Sequence, residues 1–412
     1  MMDAKEWGNC APMTMTAPDD VPASLRVLNV TYHADIQYGG LVRSVPGLCL
    51  ATNSIRGVES EILAMAGKDE RSFDHAFVQL KGKVLRERGP RGFSDLLAFG
   101  TFARVVSRFD LVMVHGIWAP NSIAVSLASR LARRPYIANV HGSLSKWALG
   151  SKTIRKRLYW WAAESRTINR AACVRALTTT EAEDYRRAGV NRPICVIPNG
   201  VDIDLDADPS LFFSQYPELQ GHRIVVFLGR LVLNKGVDLL CEAWKAVYAR
   251  HKDARLVIAG PNANGTEAQL RRRVAELGIS GSVHFPGPVY GASKASLLQA
   301  AELFVLPSRS EGFSMAILEA MAAGLAIIIT RECNFNDVAQ TGGGAIIERT
   351  ASALSEALDR MLAQSTAAVR HLGQKNRERA RAVYSWQIVA RQAIEMYQWV
   401  LGGSRPSSFP IL

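Results

Sequence analysis

Cysteine is scarce in this chain, and no pair of cysteines has the spacing of a metal site. The six cysteines are scattered over 412 residues without a CxxC motif, which predicts free thiols in a reducing compartment. No run of roughly eighteen apolar residues is present, so no membrane-spanning helix is predicted. The motifs GxGxxG, GxxxxGK, HExxH and GxSxG are also absent, which removes the usual signals of dinucleotide enzymes, P-loop nucleotidases, zinc proteases and α/β hydrolases.

Negative charge is in short supply as well. The chain holds 49 Lys and Arg against 37 Asp and Glu, a net charge of +12, and residues 1–200 carry +10 of it. A first half of this kind suits a polyanionic or membrane-surface partner. Because no recognition helix or RNA-binding motif accompanies the charge, no nucleic-acid partner is predicted.

What the sequence does contain is an alternation of strands and helices that runs through the chain twice. A chain of 412 residues is too long for one core, and two such series predict two doubly wound α/β domains. Ligands bind beyond the carboxyl ends of the strands in such sheets, so two facing edges would form a cleft.

The domain boundaries follow from the same pattern. We predict a flexible tail over residues 1–22, a first domain over 23–200 and a second over 201–384, with the turn at 198–200 as the hinge. The tail lacks the basic start and apolar stretch of a secretion signal, which with the free thiols predicts a cytoplasmic protein.

The segment 308–324 carries the strongest functional signal. Glu311 lies in a Gly-containing loop after the apolar strand 303–306, and Glu319 lies about one turn inside a helix that Ser314 is predicted to cap. A strand, a loop and a helix N-terminus form a ready anion site. Carboxylates on either side suit a ligand with phosphate in the middle and hydroxyl groups at both ends, as in a nucleotide sugar.

Two cations follow the first strand of the second domain. Arg230 and Lys235 are predicted to project from that strand end toward the cleft, where they could neutralise a diphosphate. Taken alone, the loop fits two solvated charges equally well, and the neighbouring glutamates are what favours a site.

The two glutamates also invite comparison with the acid and nucleophile of a glycosidase. Eight helical steps span ~12 Å, whereas a retaining glycosidase places its carboxyl groups ~5 Å apart. Two separate binding roles therefore fit better, with Glu311 on the sugar ring and Glu319 on the ribose.

Two histidines end strands of the first domain. His115 and His141 are each followed by glycine, which permits a close approach of ligand to backbone. A lone histidine is more often structural, but two in matching positions indicate a site. Gly39-Gly40 opens a helix where backbone could approach a phosphate or an acceptor, although two glycines by themselves indicate only a turn.

A basic helix with aromatic residues is predicted over residues 152–172. It suits either a helix that lies on an anionic membrane or an amphipathic helix packed on its own sheet, and both can hold together. The alternating aspartates at 202–208 lack the glycine and glutamate of a calcium loop, so no metal is predicted.

Together these motifs resemble glycosyltransferase family 4, the group 1 retaining glycosyltransferases of GT-B architecture. The matching segments are Glu311–Gly324 with its paired glutamates, Gly229–Gly236, Ile197–Asp202, and in the first half Gly39-Gly40 and the two His-Gly pairs. The resemblance covers residues 25–400, and the first half resembles members that build bacterial exopolysaccharide or lipopolysaccharide. The chain departs from the family at Ala326 and Asn336-Asp337, where Pro and Pro-Glu are common.

The resemblance implies a role for each site residue. A nucleotide-diphosphate sugar would bind mainly to the second domain, and a terminal helix within 385–412 would pack back on the first. The implied catalytic residues are Glu311, His141, Arg230 and Lys235; the implied donor-binding residues are Gly39, Gly40, Arg230, Lys235, Phe313, Ser314 and Glu319; His115 would lie on the acceptor side.

The implied reaction is retaining transfer of a sugar to a lipid-linked or polysaccharide acceptor, without a cofactor, at the inner face of the cytoplasmic membrane. The basic first domain supports an anionic membrane surface as a partner there. Two alternatives come from other classes: a nucleotide-sugar epimerase of the same architecture, and a non-catalytic binding module. The sugar, the nucleotide, the acceptor and the oligomeric state are left open.

Overall fold

A computed structural model describes most of the chain. The described residues are 24–35, 39–66, 73, 75–84, 99–118, 120–144, 159–203, 207–263 and 265–412. The predicted tail over 1–22 lies outside them, as do the first residues of the helix predicted over 152–172.

The first half of the chain forms a parallel sheet of seven strands in the order β3-β2-β1-β4-β5-β6-β7. Its strands are β1 Leu25–His33, β2 Val58–Ala66, β3 Lys83–Val84, β4 Leu111–His115, β5 Tyr136–Asn139, β6 Cys173–Ala176 and β7 Ile194–Val196. Its helices are α1 Gly40–Asn53, α2 His75–Gln79, α3 Phe99–Val106, α4 Pro120–Leu131, a π-helix at Trp160–Glu164, α5 Ser165–Ile168 and α6 Thr179–Arg187. Strands β4, β5, β6 and β7 are buried along their whole length, which makes such segments predictable from the sequence. The two-residue β3 was missed.

The second half forms a parallel sheet of six strands in the order β10-β9-β8-β11-β12-β13. Its strands are β8 Arg223–Leu228, β9 Ala254–Ala259, β10 Val283–Gly287, β11 Leu303–Leu306, β12 Ala326–Thr330 and β13 Gly344–Ile347. Its helices are α7 Ser210–Gln215, α8 Val237–Arg250, α9 Thr266–Glu276, α10 Gly291–Ala300, α11 Met315–Ala322, α12 Asp337–Gln340, α13 Ala351–Leu362, α14 Thr366–Arg379 and a π-helix at Ala380–Tyr384. Short 3-10 turns lie at Pro217–Leu219, Leu233–Lys235, Ser280–Ser282 and Arg331–Cys333. The prediction of two parallel, doubly wound sheets is confirmed.

The final helix, α15 Trp386–Val400, returns to the first sheet. Its buried face, which includes Ile394 and Tyr397, packs in one apolar cluster with residues of β1 and β4. The crossing is held at the hinge, where the Val201 amide donates to the Tyr384 carbonyl at 2.8 Å. Packing of this helix on the first sheet ties the two sheets together next to the hinge.

Trp386 fills the space between the hinge and helix α1. A Cβ added at Gly200, or at Gly47 of α1, would lie 2.4 Å or less from the indole ring. Only glycine fits at these two positions, so the hinge turn and α1 both press on the same aromatic side chain.

Candidate active site

A cleft lies beyond the carboxyl ends of the strands and takes residues from both sheets. Helix α1 and the glycines before it supply its first-domain wall, and the segments after β8, β9, β10 and β11 supply its second-domain wall. The cleft is lined by Gly39, Gly40, Arg43, Leu228, Gly229, Arg230, Lys235, Gly260, Pro261, Val289, Tyr290, Glu311, Phe313, Ser314, Met315, Ala316 and Glu319. Every predicted donor-binding residue is in this set, and of the predicted catalytic residues only His141 is not.

Lys235 sits in the turn after β8 and points at the glutamate loop. Its Nζ lies 2.6 Å and 2.7 Å from the two carboxylate oxygens of Glu311, whose side chain is only 8% exposed. Gly236 follows in a left-handed conformation, and a Cβ there would lie 1.9 Å from the Pro307 carbonyl oxygen. The turn can therefore approach the loop after β11 only because residue 236 is glycine.

The glutamate loop is held by its neighbours in the second sheet. The Glu311 amide donates to the Glu332 carbonyl at 3.0 Å, and the Asn334 side chain donates to the Glu311 carbonyl at 3.1 Å. Both partners belong to the turn after β12. This fixes the backbone of Glu311 while its carboxylate faces the cleft and Lys235.

Glu319 has two cationic partners that the sequence did not reveal. Lys294 of α10 lies 2.7 Å from Glu319 Oε1, and Arg43 of α1 lies 3.7 Å from the same atom. Arg43 is also stacked over the Tyr290 ring, 5.2 Å from its centroid. No spacing rule connects Lys294 with Glu319, because 25 positions separate them.

Phe313 and Ser314 both reach the cleft, but Ser314 does so without its predicted bond. Phe313 packs against Phe335 and Tyr384, with ring centroids 5.5 Å and 6.1 Å away. Ser314 occupies the N-cap position of α11, yet its side chain makes no capping hydrogen bond. The prediction that Ser314 caps the helix is therefore wrong for its hydroxyl group, although the helix begins where expected.

His141 and His115 form a hydrogen-bonded pair at the ends of β5 and β4. His115 Nδ1 lies 3.1 Å from His141 Nε2, and His115 Nε2 lies 2.9 Å from Asn29 Oδ1. His115 is buried behind His141 at 2% exposure. The predicted acceptor-side role of His115 is thus one that it would exert through His141.

Both rings are neutral at physiological pH. Burial, with the positive charge of Arg175 nearby, lowers the pKa of His141 to about 3. Burial also holds the pKa of His115 well below its usual value, with contributions from His141 and Arg175. Arg175 itself is buried and donates from Nε to the Ile197 carbonyl at 3.0 Å and from Nη2 to the Pro198 carbonyl, so it contributes to the lowered pKa values and also stabilises the hinge.

The turn after His141 meets the glutamate loop across the cleft. His141 and Gly142 are both left-handed, and a Cβ on Gly142 would lie 2.8 Å from Gly312 Cα. The Gly142 amide donates to the buried carboxylate of Glu181, which also accepts from the Leu177 amide at 2.5 Å. The backbone of His141-Gly142 therefore contacts Gly312, the residue that follows Glu311.

Gly39-Gly40 brings the start of α1 close to Arg230 and Met315 of the second domain. Gly39 precedes α1 at φ 92°, and a Cβ there would lie 3.9 Å from Arg230 Nε. A Cβ on Gly40 would lie 3.2 Å from Met315 Cγ. The first turn of α1 thus faces the predicted diphosphate-binding side chains.

The family departure at Asn336-Asp337 lies outside the cleft lining. Asp337 Oδ2 accepts from Arg379 Nε at 2.8 Å and from the Tyr384 hydroxyl at 2.7 Å. The carboxylate of Asp337 therefore stabilises the π-helix at Ala380–Tyr384, which precedes helix α15.

The predicted basic helix is only partly described, from residue 159 onward. Its pattern placed Trp161 on the same face as Ile168, but Trp161 is 72% exposed while Ile168 is buried. The π-helix at Trp160–Glu164 explains the difference, since its wider turns shift the helical faces. Arg166 lies over the Trp161 ring at 5.6 Å.

Among the described residues, no three His, Cys, Asp or Glu side chains are placed to hold a metal ion.

Both halves of the chain match known protein families. Residues 211–379 match the family described as glycosyl transferases group 1, and residues 39–200 match the glycosyl transferase 4-like domain. A phosphatidyl-myo-inositol mannosyltransferase from Mycobacterium leprae is 30% identical over 298 residues, 71% of this chain and 74% of that protein. A GDP-mannose:cellobiosyl-diphosphopolyprenol alpha-mannosyltransferase from Xanthomonas campestris is 29% identical over 330 residues, 79% of this chain and 83% of that protein.

Solved structures show the same architecture. HepE from Anabaena, crystallised with UDP and glucose, superimposes with a TM-score of 0.76 at 17% identity, covering 91% of this chain and 100% of that one. Sucrose-phosphate synthase from Thermosynechococcus elongatus gives a TM-score of 0.69 at 21% identity, covering 92% and 100%. The predicted GT-B fold is confirmed.

Proposed function

Since the chain belongs to the group 1 glycosyltransferases of family 4, we propose that it transfers a mannosyl group from GDP-mannose to a lipid-linked acceptor with retention of the anomeric configuration. The observation that carries the proposal is the meeting of His141-Gly142 with the Glu311 loop beside Lys235. The mannosyl group and the lipid acceptor are proposed from two relatives, a mannosyltransferase acting with GDP-mannose on a diphosphopolyprenol and one acting on phosphatidyl-myo-inositol.

The donor would enter as the Lys235–Glu311 pair opens. The Lys235 ammonium lies 2.6 Å from the Glu311 carboxylate. A diphosphate would draw the ammonium of Lys235 and the guanidinium of Arg230, which leaves the Glu311 carboxylate to accept hydrogen bonds from sugar hydroxyl groups. The pair therefore holds both side chains at the cleft, where the donor would bind.

In the proposed step, the bond from the anomeric carbon to the diphosphate oxygen breaks, and a bond to the acceptor hydroxyl oxygen forms on the same face of the sugar. The acceptor proton passes to the departing diphosphate. Arg230, Lys235 and the amides at the start of α1 would stabilise the charge that grows on that leaving group. The neutral His141 would orient the sugar without adding charge near the anomeric carbon.

The experiment is a transfer assay with GDP-mannose and a diphosphopolyprenol-linked disaccharide or phosphatidylinositol. We expect mannosylated lipid with an α-linkage by NMR, and a loss of about 100-fold or more in turnover for Glu311→Gln. Glu356→Gln, on the exposed face of α13, removes the same charge far from the cleft and should keep normal turnover. Near-normal turnover of Glu311→Gln would reject the assigned role. An epimerised donor in a tube without acceptor would favour an epimerase.

We further propose that an anionic membrane surface, at the inner face of the cytoplasmic membrane, is the place of reaction. Trp161 is 72% exposed and Leu131, on the adjacent helix α4, is 65% exposed. Apolar side chains set among arginines suit a lipid interface. No helix in the described ranges combines the length and the apolar content that crossing a bilayer requires.

Vesicle sedimentation tests this partner. We expect binding to phosphatidylglycerol vesicles, weaker binding to phosphatidylcholine vesicles, and loss of binding at high salt because the attraction is screened. Trp161→Ser should weaken binding while leaving turnover on a detergent-solubilised acceptor unchanged. Equal sedimentation with both lipids would contradict an anionic surface as the partner.

A further inference from the structure

Helix α1 runs along the cleft and touches both ends of the proposed donor site. Its first residues lie at the phosphate end, where Gly39 faces Arg230. One turn later, Arg43 lies at the other end, 3.7 Å from Glu319 and over the Tyr290 ring. The first domain therefore reaches both the phosphate-binding cations and the glutamate predicted to bind ribose.

Arg43 occupies a position where its charge and its flat surface both matter. Its side chain is 23% exposed and that of Glu319 is 12% exposed, so the contact is only partly screened by water. The guanidinium carbon of Arg43 lies over the Tyr290 ring, and a planar guanidinium beside an aromatic ring can also contact the flat base of a nucleoside. Tyr290, itself 37% exposed, provides the surface on which the guanidinium rests.

Arg43 contributes to the net charge of the cleft. Among the described residues, the cleft carries the cations Arg43, Arg230 and Lys235 and the anions Glu311 and Glu319. Lys294 adds a further cation against Glu319. The net charge of this group is +2, which matches the two negative charges of a nucleotide-diphosphate sugar. Without Arg43 the net positive charge of this group would no longer match the charge of the donor. Arg43 is supplied by the first domain.

We propose that Arg43 is a donor-binding residue supplied by the first domain, which covers the nucleoside of the donor and holds Glu319 oriented for the ribose hydroxyl groups. Lys294 and Arg43 both lie on Oε1 of Glu319, so a ribose hydroxyl approaches the other oxygen. Because Arg43 comes from one domain and Glu319 with Tyr290 from the other, the nucleoside would be bound by side chains of both domains. The inference rests on the proposed donor, GDP-mannose.

The test compares two probes, GDP and inorganic pyrophosphate, by titration calorimetry with the full chain. In Arg43→Ala the Kd for GDP should rise about tenfold, as expected from the loss of one partly buried charged contact and one stacking contact. The Kd for pyrophosphate should stay within about twofold, because that probe lacks the nucleoside. Arg56→Ala, which removes an exposed arginine just after α1, controls for the loss of charge and should leave both values unchanged.

The outcomes separate this inference from the proposed donor. If the wild type does not bind GDP, the proposed donor is wrong. If the wild type binds GDP and Arg43→Ala binds it equally well, Arg43 has no role at the nucleoside. Equal losses for GDP and pyrophosphate would place Arg43 at the phosphates and also overturn the inference.

A double-mutant cycle adds a readout that a purely structural role would not move. In Glu319→Gln the further change Arg43→Ala should weaken GDP binding by much less than tenfold, because the two side chains act together. Effects that simply multiply would show that Arg43 does not act through Glu319. Arg43→Lys keeps the charge without the flat surface and should recover only part of the affinity.

Discussion

Substitution of Gly142 tests the contact between the two domains. A Cβ at Gly142 would lie 2.8 Å from Gly312 Cα, whereas non-bonded carbon atoms prefer about 3.5–4.0 Å. The domains would have to separate by ~1 Å to accept an alanine. A misplacement of about 1 Å near the reacting atoms can cost 100-fold in rate. We therefore expect Gly142→Ala to lower turnover by roughly 100-fold.

Gly142 also has a left-handed backbone at φ 72°. An L-residue there costs roughly 1–2 kcal/mol, so lower stability must be separated from lost closure. Gly189→Ala supplies the first control, because Gly189 has φ 89° and no atom within 4 Å of its Cβ position. It should lower Tm by a few degrees, at about 2–4 °C per kcal/mol, and keep full turnover.

Gly312→Ala supplies the second control, since it meets Gly142 Cα at 3.0 Å without a left-handed backbone. It should keep Tm and lose turnover. The assay is steady-state transfer with Tm measured on the same samples. Wild-type turnover in both Gly142→Ala and Gly312→Ala would refute the claim that catalysis needs this contact.

Three further predictions concern the charged groups. The pKa of His141 is about 3 in the folded state and near 6.5 in the unfolded state, so acid favours the unfolded state. His141 should therefore lower the free energy of unfolding by about 1 kcal/mol as the pH falls from 6.5 to 5.5. Urea titrations at the two pH values should show that His141→Asn removes this decrease. Lys235→Ala leaves the Glu311 carboxylate without its partner and should lower unfolding free energy by about 1–3 kcal/mol, more than Glu311→Gln does in the same titration. Arg175→Met leaves hinge carbonyls without a donor and should cost about 1–3 kcal/mol for each, measured by thermal unfolding; a loss below about 0.5 kcal/mol would contradict its role at the hinge.

Long apolar runs made much of the fold predictable. Strands such as β11 and β12 are unbroken buried segments, and such segments can be recognised in the sequence. Strand β13 was missed because it begins at Gly344 and is only partly buried. The short, glycine-containing edge strand has no pattern of its own to find.

Some residues of the candidate site could be predicted from the sequence, and others could not. Glu311, Lys235 and Arg230 could be placed at the cleft from the sequence because each follows a strand at its carboxyl end, where parallel sheets bind ligands. Arg43 and Lys294 were not found, because their contacts with Glu319 depend on how distant helices pack. The exposure of Trp161 was also unpredictable, since it follows from a π-helix that no residue in the segment signals.

The most direct measurement is a crystal structure of the protein with GDP-mannose bound. The diphosphate is expected within about 3 Å of Lys235 Nζ, with the ribose at Glu319 and the mannosyl group between Glu311 and His141. A diphosphate bound elsewhere, with Lys235 and Glu311 still paired, would contradict the account.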